Sequence, residues 1–170
     1  MASGVLCKDI VERIRIKVPL SALERNREEK NAGKPSLFRG ILRILIVEDS
    51  AMSFALTSAM IERITGAVPD RAHNGEEAVN RLREETFDLV FMDQFMPVMS
   101  GIEATRLIRD LLPLGQQPII VGLSGASNPV EVNACMEAGM DHFLAKPLRL
   151  AQIEQTLALA ADRAGQVLAG

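Results

Sequence analysis

The sequence predicts an α/β fold, a parallel five-stranded sheet with helices on both faces. Three observations predict it. From residue 41 onward, five short aliphatic runs alternate with five stretches of helical period. The runs are apolar throughout rather than at every second residue, as in strands buried on both faces. Strands separated by helices join by crossovers, and right-handed crossovers of that kind build a sheet covered on each side.

Ile44–Val47 is the first strand. Ser50 to about Ile64 reads as a helix, with Phe54, Leu56, Met60, Ile61 and Ile64 expected on its buried face. A weak strand follows near Ala67–Ala72. Asn74 is placed to cap the next helix, Glu77 three residues on completes a capping box, and Ala78, Val79 and Leu82 face inward. The third strand is Leu89–Met92, followed by a helix from about Ile102 to Leu111. The fourth, Ile119–Leu123, precedes a helix from about Pro129 to Glu137, after which Gly139 suits the left-handed position that ends a helix. Asp141–Ala145 is the fifth strand, and a helix from Arg149 to about Arg163 closes the series. Cys135 falls within a helical pattern and reads as a small core residue.

Residues 41–164 are therefore expected to form one domain, with residues 165–170 as a tail and residues 1–40 as an extension or linker. The stretch ERNREEKNAGKPSLFRG is charged, holds Gly and Pro and lacks an apolar period, as linkers do. Upstream, Ile14 to Val18 alternates apolar and charged residues like a single strand, which cannot bury itself alone. Residues 1–40 carry nine Lys/Arg against five Asp/Glu, and the remainder ten against seventeen, so the domain is acidic. That charge argues against direct nucleic-acid binding. No apolar run reaches the length of a membrane span, and the N-terminus lacks the pattern of a signal peptide. Cys7 and Cys135 stand far apart and read as free thiols. A cytoplasmic location with no direct membrane contact is expected.

Ligands of open α/β sheets bind at the carboxyl ends of the strands, near the point where strand order reverses. Here those ends carry Glu48 and Asp49, then Asp93, then Ser124, then Lys146 followed by Pro147. The segment FDLVFMDQFMP ends an apolar strand in Asp93, and desolvating an unpaired carboxylate is expensive, so a cation is expected to meet it. Three clustered carboxylates repel unless a cation compensates. Oxygen-only ligands with room for water suit Mg²⁺, whose sites are often completed by a phosphate. Lys146 supplies a point charge and Ser124 a donor for an anion. Together these groups describe phosphoryl transfer onto a side chain. Plainer roles exist for each: Asp93 as a turn residue, Glu48 and Asp49 as caps of the following helix, Ser124 as a turn former and Lys146 as a surface lysine. His73 and His142 have no metal-ligand spacing, and Met92, Met96 and Met99 read as packing residues.

Four ordered motifs, ILIVEDS, DLVFMDQFMPVMSG, PIIVGLSG and AGMDHFLAKP, resemble the receiver domain of two-component response regulators over about residues 41–164. The resemblance implies the flavodoxin-like strand order 2-1-3-4-5. It implies Asp93 as the phosphoacceptor, Glu48 and Asp49 with Asp93 as Mg²⁺ ligands, Ser124 and Lys146 as contacts of the phosphoryl group, and Phe143 as an aromatic switch. As a buried strand residue, Phe143 has an equally good reading. A histidine kinase or a histidine phosphotransfer protein would be the donor. The domain itself is then not an enzyme, assisting only its own phosphorylation and dephosphorylation.

Glu48 stands where the family commonly has aspartate, and Phe95, two residues past Asp93, is bulky and is expected with Ala126 to slow hydrolysis of the acyl phosphate. The segment IRIKVPL resembles the end of a histidine kinase ATP-binding domain, so the chain is either a single-domain regulator or the C-terminal receiver of a hybrid kinase. The alternative function is a Mg²⁺-dependent phosphatase or phosphotransferase with an aspartyl nucleophile, which would place a second aspartate where Phe95 stands. A flavin site is disfavoured by the acids after the first strand.

Overall fold

The computed structural model of the chain describes residues 42–125 and 129–168. The expected linker, the strand at Ile14–Val18, Cys7 and Ala126 lie outside the described residues. Five parallel strands form one sheet in the order β2-β1-β3-β4-β5. They are β1 (Ile44–Val47), β2 (Asp70–Ala72), β3 (Leu89–Asp93), β4 (Ile119–Ser124) and β5 (His142–Ala145). The helices are α1 (Ala51–Thr65), α2 (Gly75–Glu84), α3 (Gly101–Leu111), α4 (Pro129–Glu137) and α5 (Leu150–Leu168), with a 3₁₀ turn at Leu114–Gln116.

Every residue of β1, β3 and β4 is buried, which is why these strands read as unbroken apolar runs. Their side chains divide into two cores. One joins Leu45, Val47, Val90 and Met92 to Ala78, Val79 and Leu82 of α2, Ala104 and Ile108 of α3 and Cys135 of α4. The other joins Ile44, Ile46, Leu89 and Phe91 to Ile61 of α1 and Ile153, Leu157, Ala160 and Ala161 of α5. The edge strand β2 is shorter than expected because Pro69 has no N–H for a ladder. The preceding Ala67 N–H donates instead to the Thr65 hydroxyl at 3.0 Å.

Helix ends follow local chemistry. Ser50 caps α1, its hydroxyl accepting from Ser53 N–H. Asn74 caps α2 by accepting from Glu77 N–H at 2.9 Å, but Glu77 closes back on His73 N–H rather than on Asn74, so the expected box is displaced by one residue. A reciprocal capping box forms instead at Ser100 and Glu103, at the start of α3. Gly139 has φ +100°, as its place after α4 requires.

Two expectations about helices need correction. The buried positions of α1 are Thr57, Ser58, Ile61 and Thr65, with Phe54, Met60 and Ile64 partly buried beside them. Leu56 is 56% exposed, because the stripe that meets the sheet leaves its position turned outward. Helix α5 also runs beyond Arg163, to Leu168. Among the described residues no helix is long and apolar enough to cross a membrane.

Candidate functional site

Strand order reverses between β1 and β3, whose register pairs Val47 with Met92. The next residues of each strand, Glu48 and Asp93, therefore face one crevice at the carboxyl edge. Helix α3 begins directly behind Asp93. A Cβ on Gly101 would lie 2.1 Å from the Asp93 carbonyl oxygen, so only glycine allows this approach. The loop between them turns at Val98, whose φ of 71° is unusual for a branched residue.

Glu48 and Asp93 are buried, and Asp49 is exposed at their rim. Each of the three offers a carboxylate oxygen, and these oxygens lie within 4.8 Å of one another. Lys146, at the end of β5, bridges the two buried acids: its Nζ is 2.6 Å from Glu48 Oε2 and 2.5 Å from Asp93 Oδ2. The remaining oxygens of both acids accept backbone N–H groups, Glu48 Oε1 from Ser50 and Asp93 Oδ1 from Phe95. Burial raises the Glu48 carboxyl above the ordinary carboxylate range, the Lys146 bond opposes this, and the nearby Asp93 charge adds to it. Burial by itself would lower Lys146, but its bonds to Asp93 and Glu48 outweigh that and hold it above the usual lysine value.

Ser124 ends β4 next to this cluster. Its carbonyl accepts Lys146 N–H at 2.8 Å, and its hydroxyl donates to Glu131 Oε2 at 3.4 Å. Phe143 pairs with Gly122 across the β4–β5 ladder and is partly buried, packed against the core that includes Cys135 and Met140. His73 and His142 are exposed, and Cys135 is buried. Glu48 and Asp49 do not cap α1 with their side chains through its first turn, since Ser50 does so.

The donor set fits a hard divalent cation. It is oxygen-only, it carries more negative charge than Lys146 neutralises, and exposed Asp49 leaves room for water ligands. Sequence reasoning missed Arg71, whose guanidinium donates to the carbonyls of Glu48 and Asp49. Its acceptors are backbone carbonyls, which leave no signal in the sequence.

The response regulator receiver domain family matches residues 44–158. The two-component response regulator ORR41 of Oryza sativa subsp. japonica is 42% identical over 113 residues, which are 65% of this chain and 87% of that protein. The chain spans only 3% of the hybrid signal transduction histidine kinase G of Dictyostelium discoideum, which it matches at 35% identity, and 17% of the autoinducer 2 sensor kinase/phosphatase LuxQ of Vibrio vulnificus, which it matches at 30%. The receiver domain of sensor histidine kinase PA1611 from Pseudomonas aeruginosa, solved with magnesium coordinated in its active-site cleft, aligns with a TM-score of 0.65 at 29% identity, over 71% of this chain and 98% of that one. The receiver domain of Saccharomyces cerevisiae Ssk1, solved with the histidine phosphotransfer protein Ypd1, gives 0.65 at 28% identity, over 71% and 89%.

Replacing Lys146 with methionine would leave two buried carboxylates facing each other. For a fully buried pair that costs ~3–5 kcal/mol, and because Lys146 retains 26% side-chain exposure the expected loss is smaller, about 2 kcal/mol. Urea unfolding without Mg²⁺ measures it, and adding Asp93→Asn to Lys146→Met is expected to restore most of the stability. Since the folded Glu48 pKa is raised, the folded state holds that proton more tightly than the unfolded chain. The deficit is therefore expected to grow as pH rises through that raised pKa and to shrink at lower pH.

Proposed function

The chain belongs to the family of response regulator receiver domains, and on that footing we propose that it accepts a phosphoryl group from a phosphohistidine onto Asp93 in a Mg²⁺-dependent reaction. The observation that carries this reading is the bridge from Lys146 to Asp93 and Glu48 at the point where strand order reverses. A bound Mg²⁺, held by Glu48, Asp49 and Asp93, would neutralise charge on the incoming phosphoryl oxygens.

The chain's own groups account for the rest. A carboxylate oxygen of Asp93 attacks phosphorus, the P–N bond to the donor imidazole breaks, and an acyl phosphate forms as the imidazole departs. Lys146, already held against Asp93 Oδ2, follows the negative charge from the carboxylate to the phosphoryl group. The Ser124 hydroxyl, at the end of the neighbouring strand, would donate to a phosphoryl oxygen after turning from Glu131. Phe143, paired with Gly122 two residues before Ser124 and only partly buried, is the residue whose ring would repack when Ser124 turns. Phe95 is 64% exposed beside Asp93 and offers a water no polar side chain, which supports slow hydrolysis of the product. In this role the domain is a signalling module rather than an enzyme acting on a separate substrate, and it works in the cytoplasm.

The donor is a histidine kinase or a histidine phosphotransfer protein. Helix α1, which starts two residues after Asp49, exposes Ala51, Met52, Ala55, Leu56 and Ala59 as one apolar strip beside the site. Met52 is 84% exposed. Such a strip fits the apolar face of a helical partner whose phosphohistidine must reach Asp93.

Incubation with acetyl phosphate and Mg²⁺, read by intact mass, is expected to add one phosphoryl group to the wild type and none to Asp93→Asn. Uptake by that variant at the wild-type level would refute the assignment. Leu56→Glu separates partner docking from chemistry. It is expected to leave uptake from acetyl phosphate unchanged and to slow transfer from phosphorylated Ypd1 at least tenfold, about 1.4 kcal/mol.

A further inference from the structure

Arg71 stands on β2 opposite Ile46 of β1, and its side chain reaches past the end of β1. It donates to the Glu48 carbonyl through Nε at 3.4 Å and Nη2 at 3.2 Å, and to the Asp49 carbonyl through Nη2 at 3.1 Å. Its Cζ lies 4.7 Å from the centre of the Phe54 ring on α1. Among the described residues Arg71 makes no ion pair, although its hydrogen-bond acceptors belong to Glu48 and Asp49. Its donors go to two successive peptide carbonyls instead, while the aromatic ring covers one face and limits its alternatives.

Those carbonyls belong to the two residues whose carboxylates face Asp93. Holding the peptide planes fixes the direction in which both side chains leave the backbone. The same edge strand also accepts Glu48 N–H, at Ala72 O, 3.0 Å away. Lys146 and Ser50 N–H also hold the Glu48 carboxylate, but exposed Asp49 would otherwise sit in a loop between a strand and a helix cap, where repulsion from the other two carboxylates would turn it away.

We propose that Arg71, stacked on Phe54, is a positioning residue for the divalent cation: it locks the Glu48–Asp49 backbone so that both carboxylates point at Asp93. The proposal rests on the reading of this crevice as a Mg²⁺-dependent phosphoacceptor site. It differs from a direct charge effect, because a guanidinium near a cation site opposes binding by its charge and favours it only through geometry. Groups that orient metal ligands from outside the ligand set typically change affinity by about 10–100-fold when removed.

Calorimetric titration of the full chain with MgCl₂ tests this, alongside thermal unfolding without metal. Arg71→Met is expected to weaken Mg²⁺ binding about tenfold, Arg71→Lys to recover part of the loss, and Phe54→Leu to shift affinity in the same direction by less. Phosphoryl uptake from acetyl phosphate by Arg71→Met is expected to reach the wild-type rate at saturating Mg²⁺, with its half-saturating concentration displaced by the same factor. An Mg²⁺ affinity of Arg71→Met equal to or tighter than wild type overturns the proposal, as does a lowered plateau at an unchanged midpoint. If Arg71→Met does not fold, Phe54→Leu decides, and unaltered affinity in that variant overturns it. A wild type that neither binds Mg²⁺ nor takes up a phosphoryl group removes the phosphoacceptor reading itself, a result distinct from equal binding by wild type and variant.

Discussion

The functional edge depends on one ammonium group between two buried carboxylates. Glu48 and Asp93 would be costly to desolvate as a bare pair, and Lys146 Nζ, bonded to both, makes their burial tolerable. The compensation is incomplete. Two carboxylates and one lysine leave net negative charge and Asp49 adds more, while burial first, and the Asp93 charge after it, raise the Glu48 carboxyl above its ordinary range. A site in this condition gains by admitting a cation, whose charge offsets what Lys146 leaves uncompensated and what an acyl phosphate on Asp93 would add. Stability and reactivity thus have a common source.

Topology supplies the convergence. Lys146 and Glu48 are 98 residues apart in the chain, and Lys146 and Asp93 are 53 apart. They meet because β1 and β3 lie side by side while their connections leave in opposite directions, so no helix fills the crevice between their ends. The glycine contact at Gly101 brings the start of α3 against the backbone of Asp93, and the Lys146 N–H to Ser124 carbonyl bond ties β5 to β4. Each reactive side chain therefore projects from the rigid end of a strand, while the loops around them can vary.

Most of this was legible in the sequence because it rests on local patterns. Continuous apolar runs marked the buried strands, and charges at their ends marked the edge where chemistry gathers. What was not legible depended on three-dimensional context. Leu56 fits an apolar helical face by periodicity, yet the sheet meets a neighbouring stripe that includes Thr57, Ser58 and Thr65, polar residues a pattern search passes over. Thr65 Oγ1 satisfies itself on the Ile61 carbonyl, so it can be buried without cost to the core. The shortening of β2 at Pro69 was implicit in the sequence, but the grip of Arg71 on the Glu48 and Asp49 carbonyls was not. Backbone acceptors carry no sequence signal, so a side chain that recognises them is invisible until the strands are paired.

The central claim is that phosphorylation occurs on Asp93 and on neither of the carboxylates beside it, Glu48 and Asp49. Borohydride reduction tests it chemically, because it converts an aspartyl phosphate to homoserine and a glutamyl phosphate to its longer homologue at the modified position. Peptide sequencing of the wild-type chain after phosphorylation and reduction is expected to find homoserine at position 93 alone. Reduced residues at position 48 or 49, or modification spread over several carboxylates, would contradict the account.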